Sequence, residues 1–203
     1  KMLCGLLFPT TGSVSVGGFD LRAQGDHARA LVSYVPDQPF LYEKLTGREF
    51  LRFTADLYAM PRAKADAKIE EVVELFHLEE FVDDLTERYS HGMRQRTVFA
   101  AALVHEPRLL IADEPTVGLD PKSIRELKLL LRKLAAGGMT IFLSTHTLDI
   151  AQELADRIGI LDRGKLLGCG TMSDLRKQAS SDGNLEDLFM KITEEVANEP
   201  ATN

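Results

Sequence analysis

Cysteine is nearly absent from this 203-residue sequence: Cys4 and Cys169 stand far apart. Neither has a second Cys or a His at metal-ligand spacing, and such thiols demand no oxidising compartment. Long apolar runs are missing too. No stretch approaches the roughly 20 residues that cross a bilayer, and the greasy opening Met2-Leu3-Cys4-Gly5-Leu6-Leu7-Phe8 is too short for a secretory leader. Nor is there a basic excess. With 24 Lys and Arg against 31 Asp and Glu, the formal charge is −7, which argues against a broad nucleic-acid-binding surface. No internal repeat is visible, and no long heptad array marks a coiled-coil arm. What remains is an ordinary globular balance, 44% hydrophobic and 27% charged, long enough for one sizeable core or a core plus a small subdomain.

The stretch that organises the chain is Leu109–Asp120, LLIADEPTVGLD. A short apolar run without alternation suits a strand of a parallel sheet buried on both faces. Pro115 cannot continue a central strand, so Asp113 and Glu114 are expected at its carboxyl edge, where open α/β sheets bind ligands. On an extended chain, adjacent carboxylates point to opposite sides, so one can face a metal and the other a water. A tight turn at Gly118 then leads to Asp120, which caps a helix with Pro121 at its first position. Ile124, Leu127, Leu131 and Leu134 form that helix's buried stripe.

The remaining elements follow by pattern. Lys1–Phe8 reads as the end of a helix stopped by Pro9–Gly12, Ser13–Val16 as a short strand and Leu31–Val35 as a second, ended by Pro36. Thr46 and Glu49 form a capping box, after which Phe50, Phe53, Leu57 and Tyr58 share one face. Ile69, Val72, Val73 and Phe76 mark a second amphipathic helix, and Leu78–Leu85 a third, shorter one. Ser90 opens a helix through Val98–Leu103, with free N–H groups in its first turn that make an anion site. Thr140–Ser144 is expected as another buried strand, with Thr145-His146 at its carboxyl edge. His27, His77 and His105 read as structural, whereas His146 ends a strand parallel to the acid-bearing one and can face the same crevice. Thr147–Ala155 is a further helix, Ile158–Leu161 and Lys165–Gly168 a hairpin, Gln178–Asn184 a polar linker, and Leu185–Glu195 a small amphipathic helix. The last eight residues read as disordered.

Placed in order, these stretches carry a resemblance. LLIADEPTVGLDP resembles the Walker B motif and D-loop of an ABC-type ATPase. Tyr89-Ser90-His91-Gly92-Met93 resembles the ABC signature, commonly LSGGQ, with Tyr89, His91 and Met93 as departures. Asp37-Gln38 resembles the Q-loop and His146 the H-loop His. KMLCGLLFPTTG resembles the helix that follows the Walker A phosphate loop. The loop itself needs GxxxxGK[ST], whose backbone N–H groups cradle phosphates. The only Gly-Lys pair here is Gly164-Lys165, followed by Leu166. The sequence therefore reads as a fragment that starts just after that loop.

The resemblance implies an α/β fold, a P-loop NTPase (RecA-like) three-layer core with a small α-helical subdomain. Residues 1–44 and 105–170 would form the core, 45–104 the helical subdomain ending in the signature helix, and 171–203 a C-terminal linker, short helix and tail. It implies ATP and Mg²⁺ as ligands. Asp113 would hold Mg²⁺ through water, with Asp37 or Gln38 as a further contact to the metal or the attacking water. Glu114 would activate the water and His146 steady the γ-phosphate. Ser90, His91, Gly92 and Met93 would serve the nucleotide of an opposite cassette in a homo- or heterodimer, with Asp120 coupling the two sites. A His91 ring leaning on that triphosphate would make hydrolysis pH-dependent near neutrality. The implied function is the ATP-binding and ATP-hydrolysing subunit of an exporter, at the cytoplasmic face of a membrane and bound to a permease. No nucleic-acid partner is expected, and the chain without Walker A is expected to be inactive alone. The rival readings are a soluble ABC ATPase of translation or DNA repair, and a non-hydrolysing regulatory cassette.

Overall fold

The structure is a computed structural model that describes residues 1–198, with the side chains of 1–194. It divides into two compact units, Lys1–Ser144 and Thr145–Asn203.

The first unit opens on turns rather than an assigned helix, a difference from the sequence expectation for Lys1–Phe8. The Gly5 amide donates to Met2 O (3.0 Å) and the Leu6 amide to Lys1 O (3.1 Å), with Gly5 at φ +69. This 5→2 and 6→1 pair around a left-handed glycine is the Schellman pattern that closes a helix. The stop thus lies at Gly5, before Pro9. Strands β1 (Ser15–Val16) and β2 (Phe19–Asp20) pair antiparallel across Gly17-Gly18. A short helix α1 (Gly25–Ala30), unmarked by any sequence signal, leads into β3 (Val32–Val35). Val16, Leu21, Ala28, Val32 and Ile111 pack these pieces into one cluster.

Helix α2 (Gly47–Leu57) starts at the expected capping box: Thr46 accepts from the Glu49 amide and Glu49 from the Thr46 amide. Its buried face is not the expected one. Gly47, Leu51 and Ala55, spaced four apart, are buried, whereas Phe53 and Tyr58 are exposed and Leu57 is 67% exposed. Small residues let α2 approach its neighbours closely. Its aromatics turn sideways, where Tyr42 meets Phe53 at 5.4 Å and Phe50 at 6.1 Å between ring centroids. Helix α3 (Arg62–Leu75) buries Ile69, Val72 and Val73 as expected, with Phe76 just past its end. Leu78–Leu85 is a set of turns and not a helix, followed by a 3₁₀ turn at Thr86–Arg88. Its hydrogen bonds are those of successive turns: the Phe81 and Val82 amides both donate to Leu78 O, and the Asp84 amide to Phe81 O.

Helix α4 (His91–Leu103) is buried along most of its length, from Thr97 through Leu103. Strand β4 (Leu109–Asp113) follows, its three middle residues buried. Helix α5 (Pro121–Ala136) buries Leu127 and Leu131, flanked by half-buried Ile124 and Leu134. Strand β5 (Thr140–Ser144) completes a parallel sheet in the order β3-β4-β5. Parallel order requires crossovers, and here they run through α2–α4 and through α5. The expectation of a buried β5 is corrected: it is an edge of this three-stranded sheet, and Phe142 is 50% exposed.

The second unit holds α6 (Leu148–Leu154), an antiparallel hairpin of β6 (Ile158–Asp162) and β7 (Lys165–Gly170), α7 (Met172–Gln178) and α8 (Leu185–Asn198). Ile158, Ile160, Leu175, Leu185, Leu188 and Ile192 form its core. Helix α7, capped by Thr171, was not expected from the sequence. Of the eight residues read as disordered, 196–198 continue α8, and 199–203 lie outside the described residues.

Candidate active site

Parallel register brings three strand ends to one edge. Val35 pairs with Ala112, and Asp113 with Ser144, so Asp37, Asp113 and Ser144 all sit at or just beyond the carboxyl edge of the sheet. The Asp113 carboxylate is gripped by two hydroxyls that the sequence reading did not single out. Ser144 Oγ donates to Asp113 Oδ1, and Tyr34 OH donates to Oδ2 at 3.4 Å. Burial, and then the Asp113 charge beside it, raise the Tyr34 hydroxyl above its ordinary value. Burial likewise pushes the Cys4 thiol up. The signal for Tyr34 and Ser144 was present in the sequence: each is a hydroxyl residue at the end of a strand flanking the acid-bearing one.

Glu114 corrects the picture of two acids on an extended chain. Its φ is +46, in the left-handed region where a residue with a Cβ is strained by about 1–3 kcal/mol. The chain turns there. The Glu114 amide still donates to Ser144 O at 2.9 Å, continuing the β4–β5 pairing by one bond. Its carbonyl accepts from the Val117 amide at 3.2 Å, and Thr116 O from the Leu119 amide at 3.3 Å, with Gly118 at φ +75 inside that second turn. The stretch ends on Asp120, whose Oδ1 accepts the amides of Lys122 (2.9 Å) and Ser123 (3.1 Å) while Oδ2 accepts Ser123 Oγ (2.6 Å). The Ser123 hydroxyl, more than any other group, holds the Asp120 carboxyl below its ordinary value.

At the start of α4, Ser90 Oγ accepts the Met93 amide at 3.3 Å, and the Ser90 amide meets Met93 Sδ at 3.5 Å. A Cβ added to Gly92 would meet nothing within 4 Å. His91 and Gln95, one turn apart, reach toward the loop after Glu114. His91 Nε2 lies 3.2 Å from Val117 O, and Gln95 Nε2 donates to Pro115 O at 3.3 Å. Asp37 and Gln38 are both exposed in the loop after β3. Thr145 and His146 follow Ser144 directly in the chain but belong to the second unit, where Thr145 Oγ1 accepts the Thr147 amide at 3.0 Å. Within the first unit the structure therefore brings Asp113, Glu114, Asp120 and His91 into one connected stretch of strand end, loop and helix start.

A sequence model of the ABC transporter family matches residues 1–117. The chain is 38% identical over 196 residues to a probable multidrug ABC transporter ATP-binding protein of Escherichia coli (strain K12), covering 95% of this chain and 34% of that protein. It is 36% identical over 182 residues to a linearmycin resistance ATP-binding protein of Bacillus subtilis (strain 168), covering 90% of this chain and 58% of the relative. The chain thus spans from 34% to 58% of the length of these curated relatives. A solved structure described as an ATP binding subunit of an ABC transporter superposes with a TM-score of 0.86 at 33% identity, covering 94% of this chain and 80% of that one. The fold is accordingly the α/β P-loop NTPase fold, and among the described residues no helix is long and apolar enough to cross a membrane. The chain belongs to the ATP-binding proteins of the ABC transporter family.

Proposed function

We propose that this chain is part of an ATP-binding and ATP-hydrolysing subunit that powers export through a membrane permease. The observation that carries the reading is the end of β4: Asp113 pinned by two hydroxyls, then Glu114 held at a left-handed φ beside it. A strained acid at the carboxyl edge of a parallel sheet is a mark of a working site. Asp113 would serve Mg²⁺. Among the described residues no three His, Cys, Asp or Glu side chains converge. One carboxylate at a strand end suits an ion that keeps most of its water and arrives with substrate phosphates, and Asp37 or Gln38 would add a contact. The ion, when bound, neutralises charge on those phosphates. Glu114 would orient the attacking water and take its proton, and His146 would steady the γ-phosphate.

Ser90, Gly92 and Met93 would face the nucleotide of a second cassette. Support comes from Gly92, where the chain's own packing makes no demand for a glycine; close approach by a ligand would. Residues 1–44 with 105–170 would act as the ATPase core, 45–104 as the helical subdomain and 171–203 as a C-terminal extension. The exposed aromatic cluster of Phe40 and Tyr42 with Phe53 of α2 would serve as a docking surface for the permease. The relatives named as a probable multidrug transporter protein and a linearmycin resistance protein support drug-like cargo, chosen by that permease. Location at the cytoplasmic face of a membrane follows from the same reading.

The 203 residues contain no GxxxxGK[ST] cradle, so the test uses a longer protein in which this chain is joined to such a cradle, together with the permease. Glu114→Gln keeps size and removes the base. Turnover is expected to fall about 10²–10⁴-fold with ATP still bound and trapped. Turnover at the parent rate would overturn the reading.

A further inference from the structure

The backbone from Glu114 to Val117 presents four successive carbonyls, and all four are satisfied in an alternating way. Glu114 O and Thr116 O accept from amides of the loop itself, Val117 N and Leu119 N. Pro115 O and Val117 O accept from side chains of α4, Gln95 and His91. Both of these side chains come from one helix, where residues four apart fall on one face. Two points of α4 therefore hold two points of the loop. Gln95 is 3% exposed, so its bond is made in a dry setting where an unmade one would be costly. His91 is exposed, and its ring lies against the loop: a Cβ on Gly118 would stand 2.9 Å from its Nε2. A carbonyl only accepts, so the neutral His91 ring must carry its proton on Nε2.

We propose that His91 and Gln95 are positioning residues that tie the signature end of α4 to the loop between Glu114 and Asp120 in the same chain. The proposal rests on the functional reading above. When Ser90 and Gly92 engage a nucleotide on a second cassette, the start of α4 and the loop move as one piece. The water-activating acid and the Asp120 turn are thereby set by the same contact that senses the partner's nucleotide. His91 meets its own loop at Val117 O, and its task is distinct from phosphate contact.

The test uses the full-length protein with its permease and two isosteric variants. His91→Gln places an amide donor where Nε2 stood, and His91→Asn places one where Nδ1 stood, too short to reach Val117 O. For His91→Asn, kcat is expected to fall about 5–20-fold with KM for ATP unchanged, since the loss is one of geometry at the reacting group. His91→Gln is expected to retain most of the parent kcat. Hydrogen exchange at the Val117 and Leu119 amides, read without turnover, is expected to quicken in His91→Asn and stay parent-like in His91→Gln. Equal loss in both variants overturns the proposal, as does a raised KM at unchanged kcat, which would place His91 on the nucleotide. Faster exchange in His91→Asn with unimpaired turnover also overturns it. Failure of the hydrolytic reading shows separately, as parent-rate turnover in Glu114→Gln.

Discussion

The two ends of α4 each carry a histidine, and the two environments are opposites. His91 opens the helix at the surface and holds a loop carbonyl. His105, two residues past the other end, is stacked on Tyr58 at 3.5 Å between ring centroids, nearly parallel. Its Nε2 donates to Val32 O at 3.2 Å, and its Nδ1 is buried with no partner. Burial depresses the His105 pKa to about 4, partly offset by the Val32 carbonyl. The neighbouring charges, Glu106 with Lys64 and Lys68, are paired with one another. One end is sealed by the chain's own packing; the other is left accessible, with a glycine that its own packing does not require. A residue type is thus no guide to its role; what surrounds it decides.

The comparison breaks first, and with the largest effect, at Gly92. Gly92→Asp in the full-length protein adds a carboxylate at an open helix start, which the helix dipole tolerates, so folding survives. Turnover is expected to fall at least about 10²-fold, because the site would then present an anion to a phosphate. Full activity would mean that this end of α4 meets no nucleotide.

At the sealed end the expected effect falls on stability. The folded pKa of His105 lies below its ordinary 6.5, so the unfolded chain takes the proton first. Stability is complete above about pH 6.5 and declines as pH falls toward 4, by on the order of 2 kcal/mol once partial exposure is discounted. Denaturant midpoints across that range check it. His105→Gln, which never titrates, should lose this acid step, and a protein whose parent shows no step would refute the sealed environment.

Smaller effects sharpen the contrast between helix starts. Ser90→Ala removes one accepted amide and is expected to cost about 1 kcal/mol. Asp120→Ala removes an acceptor of three hydrogen bonds and should lower the denaturant midpoint further. Because the Asp120 carboxyl sits below its ordinary value, its contribution is present above the unfolded pKa and is lost as pH falls through the folded one. The smallest effect has the opposite sign. Gly92→Ala is expected to stabilise the protein by about 0.5 kcal/mol while lowering turnover, as a position kept for a ligand should.

Local chemistry in the sequence was enough for several elements. Thr46 with Glu49 and Asp120 with Pro121 announce helix starts because caps depend on residues three apart or fewer. Ile69, Val72, Val73 and Phe76 announce a buried face because their spacing matches the helical turn. LLIAD followed by Glu-Pro announces a strand that delivers acids to an edge. Where several apolar faces competed, local pattern failed. Gly47, Leu51 and Ala55 took the interior of α2, two of them small enough for close helix contact, while Phe53 and Leu57 were left outside.

By itself, then, the sequence determined where several of the strands and capped helices begin, which acids reach the sheet edge and which family the chain resembles. These rest on contacts between residues close in the chain. Only the tertiary structure decided that Tyr34 and Ser144 clasp Asp113, that Glu114 is strained at φ +46, that His105 is sealed against Tyr58, and that His91 and Gln95 hold the loop carbonyls. Each of those depends on partners from 20 to 79 positions away in the chain, joined by strand register and helix docking that no short stretch encodes.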